Sequence, residues 1–382
     1  MDNAKKILFI LPSLSIGGLE RMQVTIANAL VKKGHDVTVM ILENQTDLKT
    51  DLDERVRLIY KPYKPHPIMK KIPYVRSKLY DDGMWETRAS AKTLYKYYVG
   101  KEKYDVEIGF FRGLSVKIIS GSTNKTSVKL AWVHSDFKTC YGITANFKNM
   151  DAVKMAYGKL DKIVCVSKQA KESFIEVVGQ AEKTVAIYNM VAIDEIIKKS
   201  QEEVELKKSV NPLLISVGRL VAVKGYDRLL NVAERLNQDG FKFDLWIVGG
   251  GGDKEKLKST ISQKNLSNVQ LLGQQSNPYK YIKQADLYVC SSLYEGYNLT
   301  VAEALLLDVP VLSTKCTGPC EILDGGRYGI LVENSEEVLY QGIRDLLKNP
   351  DKLAYYKERA KERKDFFDEE KIVKQIEELF GE

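Results

Sequence analysis

Glu295 and Glu303 stand with seven residues between them in SLYEGYNLTVAEALLLDVPVL, and this spacing sets two carboxylates around the start of one helix. The helix that begins near Asn298 presents backbone N–H groups at Leu299 and Thr300, a natural seat for a phosphate. A carboxylate one turn further on, as Glu303 is, repels that phosphate unless it accepts hydrogen bonds from ligand hydroxyls such as the vicinal diol of a ribose. The other reading of Glu303 is an acid that favours the helix dipole. In SVGRLVAVKGYDRLL, Arg219 and Lys224 fall in the loop between a strand end and a helix. A planar guanidinium fork and a compact ammonium five residues apart suit a diphosphate, and a solvated basic loop has the same pattern.

Two glycine loops follow strands. Gly249 to Gly252 in IVGGGGDKEKL let backbone N–H groups approach an anion, or simply make a tight strand-to-helix turn, and Gly17 and Gly18 in the first half carry the same two readings. Neither loop completes GxGxxG with a ribose-binding acid at dinucleotide spacing, so a nicotinamide-dependent oxidoreductase is disfavoured.

The elements around these residues alternate. KKILFILPSLSIGGLERMQVTIANALVKKGHDVTVMIL reads as strand, Gly-containing loop, amphipathic helix and strand, a βαβ unit closed at Gly34. Apolar strands continue at Val106–Phe111, Lys129–Val133 and Lys162–Val166. The second half repeats the alternation, with strands at Leu213–Val217, Phe243–Val248, Val269–Leu272, Leu287–Cys290 and Val309–Ser313. Near-continuous apolar runs suit parallel strands buried on both faces. The expectation is α/β with two doubly wound, Rossmann-like domains facing across a cleft: 1–195, a charged linker at 196–211, and 212–365, with a terminal helix at 366–382 packing back on the first domain.

Composition agrees with two ordinary globular domains. The 382 residues are 44% hydrophobic and 29% charged with 26 Gly and 10 Pro, which excludes disorder and low-complexity architecture. A net charge of +7 is too mild for a dedicated nucleic-acid binder and compatible with anionic ligands or a membrane surface. Five cysteines with no CxxC spacing read as reduced thiols of a cytosolic protein without structural zinc. Met1–Lys6 is short and polar before the apolar run Ile7–Leu11 and no small-residue cleavage site follows, so the expectation is a strand there rather than a signal peptide, and no apolar run is long enough to span a bilayer.

Taken together, GGLER at 17–21, WVHSD at 132–136, VS at 166–167, GRL and KG within 218–225, VGGGG at 248–252 and YEGYNLTVAEAL at 294–305 resemble the family-four retaining glycosyltransferases of GT-B fold, of the bacterial cell-envelope or capsular type. The resemblance is strongest from about 212 to 335 and weakest from 43 to 128. It implies a nucleotide-diphosphate sugar donor, UDP-sugar favoured, bound mainly by the second domain, an acceptor bound mainly by the first, and retention at the anomeric carbon without a bound metal or other cofactor. It further implies that Arg219 and Lys224 hold the diphosphate, aided by Gly17, Gly18 and Gly249, and that Glu303 binds ribose. Glu295 and the backbone from Gly296 through Tyr297 and Asn298 to Leu299, with Thr300 beside it, are expected to position the transferred sugar. His134 corresponds to a histidine near the anomeric centre, with a positioning role. Acceptor-binding residues are not identified.

The segment KPYKPHPIMKKIPYVRSK at 61–78 has six Lys and Arg and no acid. It reads as a loop over the acceptor side suited to anionic headgroups or a lipid diphosphate, or as a solvated charged loop. The expected protein is thus a cytoplasmic enzyme, peripheral on the inner face of the membrane, moving a hexose or N-acetylhexosamine to a glycan or lipid-linked glycan. Its rivals are a non-catalytic partner subunit of the same fold and a GT-B nucleotide-sugar epimerase.

Overall fold

Short runs of Val, Ile and Leu between Gly- and Asp-containing turns form thirteen strands among the residues described by the computed structural model, which are 4–62, 84–140, 142–206 and 208–381. The basic segment at 61–78 lies outside them from residue 63 onward. Contacts divide the chain into two units, Met1–Asn189 with Glu370–Glu382, and Met190–Glu369.

The first unit is a seven-stranded sheet in the order β3-β2-β1-β4-β5-β6-β7. Its strands are β1 (Lys6–Leu11), β2 (Asp36–Ile41), β3 (Arg57–Tyr60), β4 (Val106–Gly109), β5 (Val128–Val133), β6 (Lys162–Cys165) and β7 (Thr184–Ala186). Every pairing is parallel; β1 lies between β2 and β4, with Phe9 opposite Val39 on one side and Ile108 on the other. Such a central strand is covered on both faces, which is why five of the six residues of KILFIL are buried. Helix α1 (Gly18–Lys32) lays Val24, Ile26, Ala27, Leu30 and Val31 against the sheet and ends at Gly34, whose φ of +95° suits glycine. Helices α2 (Met150–Gly158) and α3 (Lys168–Val178) are capped by Asn149 and Ser167, whose side chains accept from Ala152 N and Ala170 N. Between them the rings of Phe137, Tyr157 and Phe174 meet edge to face, with Phe174 5.0 Å from Phe137 and 4.9 Å from Tyr157.

The second unit is a six-stranded parallel sheet in the order β10-β9-β8-β11-β12-β13. It comprises β8 (Leu213–Val217), β9 (Asp244–Val248), β10 (Val269–Gly273), β11 (Leu287–Cys290), β12 (Val311–Thr314) and β13 (Ile330–Val332). Helices α5 (Tyr226–Gln238), α6 (Lys254–Gln263) and α7 (Leu299–Leu306) follow β8, β9 and β11. The charged stretch read as a linker from 196 begins as helix α4 (Ile193–Ser200), because Ile196 and Ser200 face inward and Lys199 pairs with Glu195 one turn away at 2.6 Å. Near the carboxyl end, residues 364–367 form a short 3₁₀ turn, and α9 (Glu369–Glu377) carries Ile372, Val373 and Ile376 inward. Within the first unit His35 fastens that tail: it accepts from Lys5 N at 3.1 Å, meets Glu377 at 3.0 Å and packs edge-on against Phe380.

Both sheets reverse strand order beside their first strand, at β1/β4 and at β8/β11. Loops leaving adjacent strands toward opposite sides open a crevice at the carboxyl ends there, and ligands of such sheets bind in it.

Phe174→Ala removes the ring shared by both edge-to-face contacts and is expected to destabilise the first unit by about 3–5 kcal/mol, measured by urea unfolding followed through first-unit probes, with the second unit's transition unmoved.

Candidate functional site

β8 and β11 are hydrogen-bonded neighbours, and the turns leaving their carboxyl ends carry Lys224 and Glu295. After β8 the chain makes a 3₁₀ turn at Ala222–Lys224 and then passes through Gly225 at φ +66° into α5. Glycine is required at that position twice over: a Cβ would fall in the left-handed region and 2.2 Å from the Ser291 carbonyl oxygen. The close approach joins the two turns. Ser291 Oγ donates to the Lys224 carbonyl at 2.8 Å, and Leu293 N donates to the Val223 carbonyl at 2.7 Å.

Across that junction Lys224 Nζ donates to Glu295 Oε1 at 2.7 Å, with side chains only 20% and 11% exposed. Withdrawal from water pulls the Lys224 ammonium down, but the charge and hydrogen bond of Glu295 outweigh it and hold the group above its ordinary value. The same carboxylate oxygen accepts from Ser292 Oγ at 2.6 Å and Asn298 Nδ2 at 3.1 Å. Glu295 is therefore oriented by three donors and fixed at the mouth of β11.

Asn298 joins this carboxylate to a helix start. At φ +76° it caps α7, accepting at Oδ1 from Val301 N at 3.3 Å and from Thr300 Oγ1 at 2.8 Å. These bonds fix the amide orientation that aims Nδ2 at Glu295. Thr300 Oγ1 also meets Tyr288 OH at 2.5 Å. The amides of Leu299 and Thr300 have no preceding helical carbonyl, and Glu303 follows in α7 with its side chain buried. Behind the loop, α8 (Thr317–Ile322) packs so closely that a Cβ on Gly318 would lie 1.9 Å from the Tyr297 carbonyl. Cys316 stands at the N-cap of this helix and Cys320 lies within it. Cys316 Sγ donates to the Ser292 carbonyl, and burial pushes its thiol up to about 12.

Arg219 is exposed on the loop from β8, and its positive charge works against that of Lys224. Gly249, Gly250 and Gly251 lie against that same loop. A Cβ on Gly249 would meet the Gly218 carbonyl at 1.9 Å and one on Gly251 the Leu220 carbonyl at 2.4 Å, with φ at +153° and +154°. Leu220 N donates to the Gly250 carbonyl, and Asp253 N to that of Leu220. Close backbone packing thus accounts for two of the glycines that the sequence left between an anion cradle and a tight turn.

In the first unit Gly17 stands at the start of α1 with extended backbone, its open side covered by the flexible Glu20 carboxylate. His134 follows β5, two strands away from β1. Its Nε2 lies 2.8 Å from the Phe110 carbonyl, an acceptor only, so Nε2 carries the proton and Nδ1 keeps its lone pair. Burial, assisted by the charge of Arg112, pushes the imidazole down to about 4 despite the Phe110 bond. It is neutral at physiological pH. Among the described residues no group of His, Cys, Asp and Glu assembles as a metal site.

Sequence reasoning did not single out Arg228, Ser291, Ser292, Asn334 or Tyr288. The first four hold the Lys224 and Glu295 turns in place, Tyr288 ties the Val217 carbonyl to Thr300, and only Arg228 left a signal: a cation in the first turn of a helix, where the dipole disfavours it.

Residues 197–363 match the family model described as Glycosyl transferases group 1. A Campylobacter jejuni protein named N-acetylgalactosamine-N,N'-diacetylbacillosaminyl-diphospho-undecaprenol 4-alpha-N-acetylgalactosaminyltransferase is 31% identical over 230 residues, 59% of this chain and 61% of the relative. A Staphylococcus aureus poly(ribitol-phosphate) alpha-N-acetylglucosaminyltransferase is 26% identical over 63% of this chain and 48% of its own. The chain therefore spans less than two thirds of the length of either curated relative. Among solved structures, Anabaena HepE in complex with UDP and glucose superposes with a TM-score of 0.77 at 20% identity, covering 98% of both chains. The two parallel sheets are those of the GT-B fold.

Glu295→Gln removes the charge that offsets desolvation of Lys224. The Lys224 titration is expected to move to lower pH, read from the ¹³Cε resonance assigned by its absence in Lys224→Arg; a titration unchanged from wild type contradicts the pairing.

Proposed function

We propose, from the premise that residues 197–363 belong to the glycosyl transferases of group 1, that the chain transfers a hexose or N-acetylhexosamine from a UDP-sugar to a glycan or lipid-linked glycan, with retention at the anomeric carbon. The observation that carries this reading is the Lys224–Glu295 pair at the β8/β11 switch point, beside the Asn298-capped start of α7 and the buried Glu303. The relatives named for lipid-linked and polyol-phosphate acceptors, and the UDP bound by Anabaena HepE, support the donor and acceptor classes.

In this reading Lys224, with Arg219, takes the donor diphosphate and offsets the negative charge that grows on the leaving oxygen. An ammonium already held charged by Glu295 needs no proton uptake to do so. Glu295, oriented by Ser292 and Asn298, accepts from hydroxyls of the transferred sugar, and Glu303 accepts from the ribose diol. The bond from the anomeric carbon to the β-phosphate oxygen breaks, the bond to the acceptor oxygen forms on the same face, and the acceptor proton passes to the departing phosphate. His134, neutral with Nε2–H spent on Phe110, offers Nδ1 as an acceptor and has no proton to give at neutral pH; its place is to orient substrate. The residues assigned these roles require no bound metal. No described helix is long and apolar enough to cross a membrane, and the reading places any membrane contact at the surface.

Thermal unfolding with UDP, GDP, ADP and NAD at one common concentration, about 100 times the dissociation constant of UDP, is expected to show stabilisation of about 2.7 kcal/mol by UDP and far less by the other three. Stabilisation by NAD alone overturns the reading. Lys224→Ala should lower transfer by about 10²–10³-fold with the fold intact, and Glu303→Ala should weaken UDP binding. Wild-type turnover in the first variant, or unchanged UDP affinity in the second, removes that residue from the site.

A further inference from the structure

The Lys224–Glu295 pair joins residues 71 positions apart, so something must hold the turn after β11 in register with the turn after β8. Arg228 occupies the first turn of α5, four residues beyond Lys224, where a helix dipole disfavours a cation and burial disfavours it further. Its guanidinium is committed to backbone. Nε donates to the Ser291 carbonyl at 2.8 Å, Nη2 to that same oxygen and to the Ser292 carbonyl at 2.8 Å, and Nη1 to Asn334 Oδ1 at 2.6 Å. Asn334 Nδ2 continues the row by donating to the Leu293 carbonyl at 2.8 Å. Thr314 Oγ1, at the end of β12, adds a bond to the Ser292 carbonyl at 2.6 Å. Three consecutive carbonyls of the turn that leads to Glu295 are thereby held by fixed donors, chiefly one planar fork.

The geometry points to Arg228, with Asn334 as its outer support, as a positioning residue that sets the distance between Glu295 and Lys224. It touches neither partner's charged group and acts through backbone carbonyls. A hydrocarbon side chain at 228 would take both guanidinium donors from the Ser291 carbonyl, one of three donors from the Ser292 carbonyl, and the anchor of the Asn334 amide that holds Leu293, and so let the turn relax away from Lys224. Lysine, whose three N–H donors radiate from one nitrogen, cannot span Ser291, Ser292 and Asn334 as the planar fork does. As an account of catalysis this rests on the glycosyltransferase reading; as an account of the pair it does not.

The test follows Lys224 itself, which Glu295, Arg219 and Cys290 surround electrostatically. The ¹³Cε titration of Lys224 is measured in wild type, Arg228→Met, Arg228→Lys and Asn334→Ala, with thermal unfolding as control and Asn334→Ala retained should Arg228→Met fail to fold. A parallel assay follows UDP release from UDP-glucose, UDP-galactose, UDP-N-acetylglucosamine and UDP-N-acetylgalactosamine. Arg228→Met should lower the Lys224 titration midpoint by about one pH unit as Glu295 withdraws, with smaller shifts in Arg228→Lys and Asn334→Ala. Turnover should fall by about 10²-fold, and the loss should be much smaller when Glu295 is already Gln, since the two act as one unit. An unmoved Lys224 titration in the folded variants overturns the positioning role whatever the activity. A moved titration in a protein without UDP-sugar turnover keeps the positioning role and overturns the glycosyltransferase reading instead.

Discussion

An ammonium withdrawn from water at the end of β8 must be matched by an anion, and in the second unit Glu295 supplies it. Losing either partner of such a pair leaves an uncompensated charge, which costs far more than the pair contributes in net stability. The surrounding architecture follows from that constraint. Gly225 lets the two turns approach, Ser291 and Leu293 tie them through Lys224 and Val223 carbonyls, and Asn298 links the carboxylate to the start of α7. In the proposed reaction, a ligand diphosphate arriving at this point meets a cation already charged and a helix start already capped. The electrostatics are organised before the ligand enters, so little has to rearrange as charge develops.

The two units share a topological rule and differ in what they place at it. Each reverses strand order beside its first strand, yet the second unit concentrates charged side chains at its switch point. The first offers the Gly17 helix start and, one strand beyond β4, a neutral histidine. Within the proposed reaction, the charged unit suits a nucleotide diphosphate, whose charges need fixed counterparts. A neutral histidine suits the orientation of hydroxyls.

Much of this was legible in the sequence because the signals are local. Apolar runs between turn residues located ten of the thirteen strands; β3, β7 and β13 are three or four residues long and lie toward the sheet edges, where the apolar signal thins. Lys224, Glu295, Asn298 and Glu303 were visible as charges and a cap around predicted strand ends. The helix within the stretch read as a linker was hidden by its charges, since its inward face rests on Ile196 and Ser200. What no local pattern reports is the long-range backbone clamp: Arg228, Ser292 and Asn334 come together from three parts of the chain. Nor does the string Gly249–Gly252 reveal that the Gly218–Leu220 backbone presses against it.

The central claim is that Lys224, delivered by Glu295, receives a ligand's terminal phosphate. Calorimetric titration of UDP and UMP into wild type and into the Lys224→Met/Glu295→Gln variant, which keeps no orphan charge, tests it directly. The claim requires that wild type bind UDP at least about tenfold tighter than UMP, a gap of about 1.4 kcal/mol, and that the gap close in the variant. An equal gap in both proteins, or no preference for the diphosphate in wild type, would contradict it.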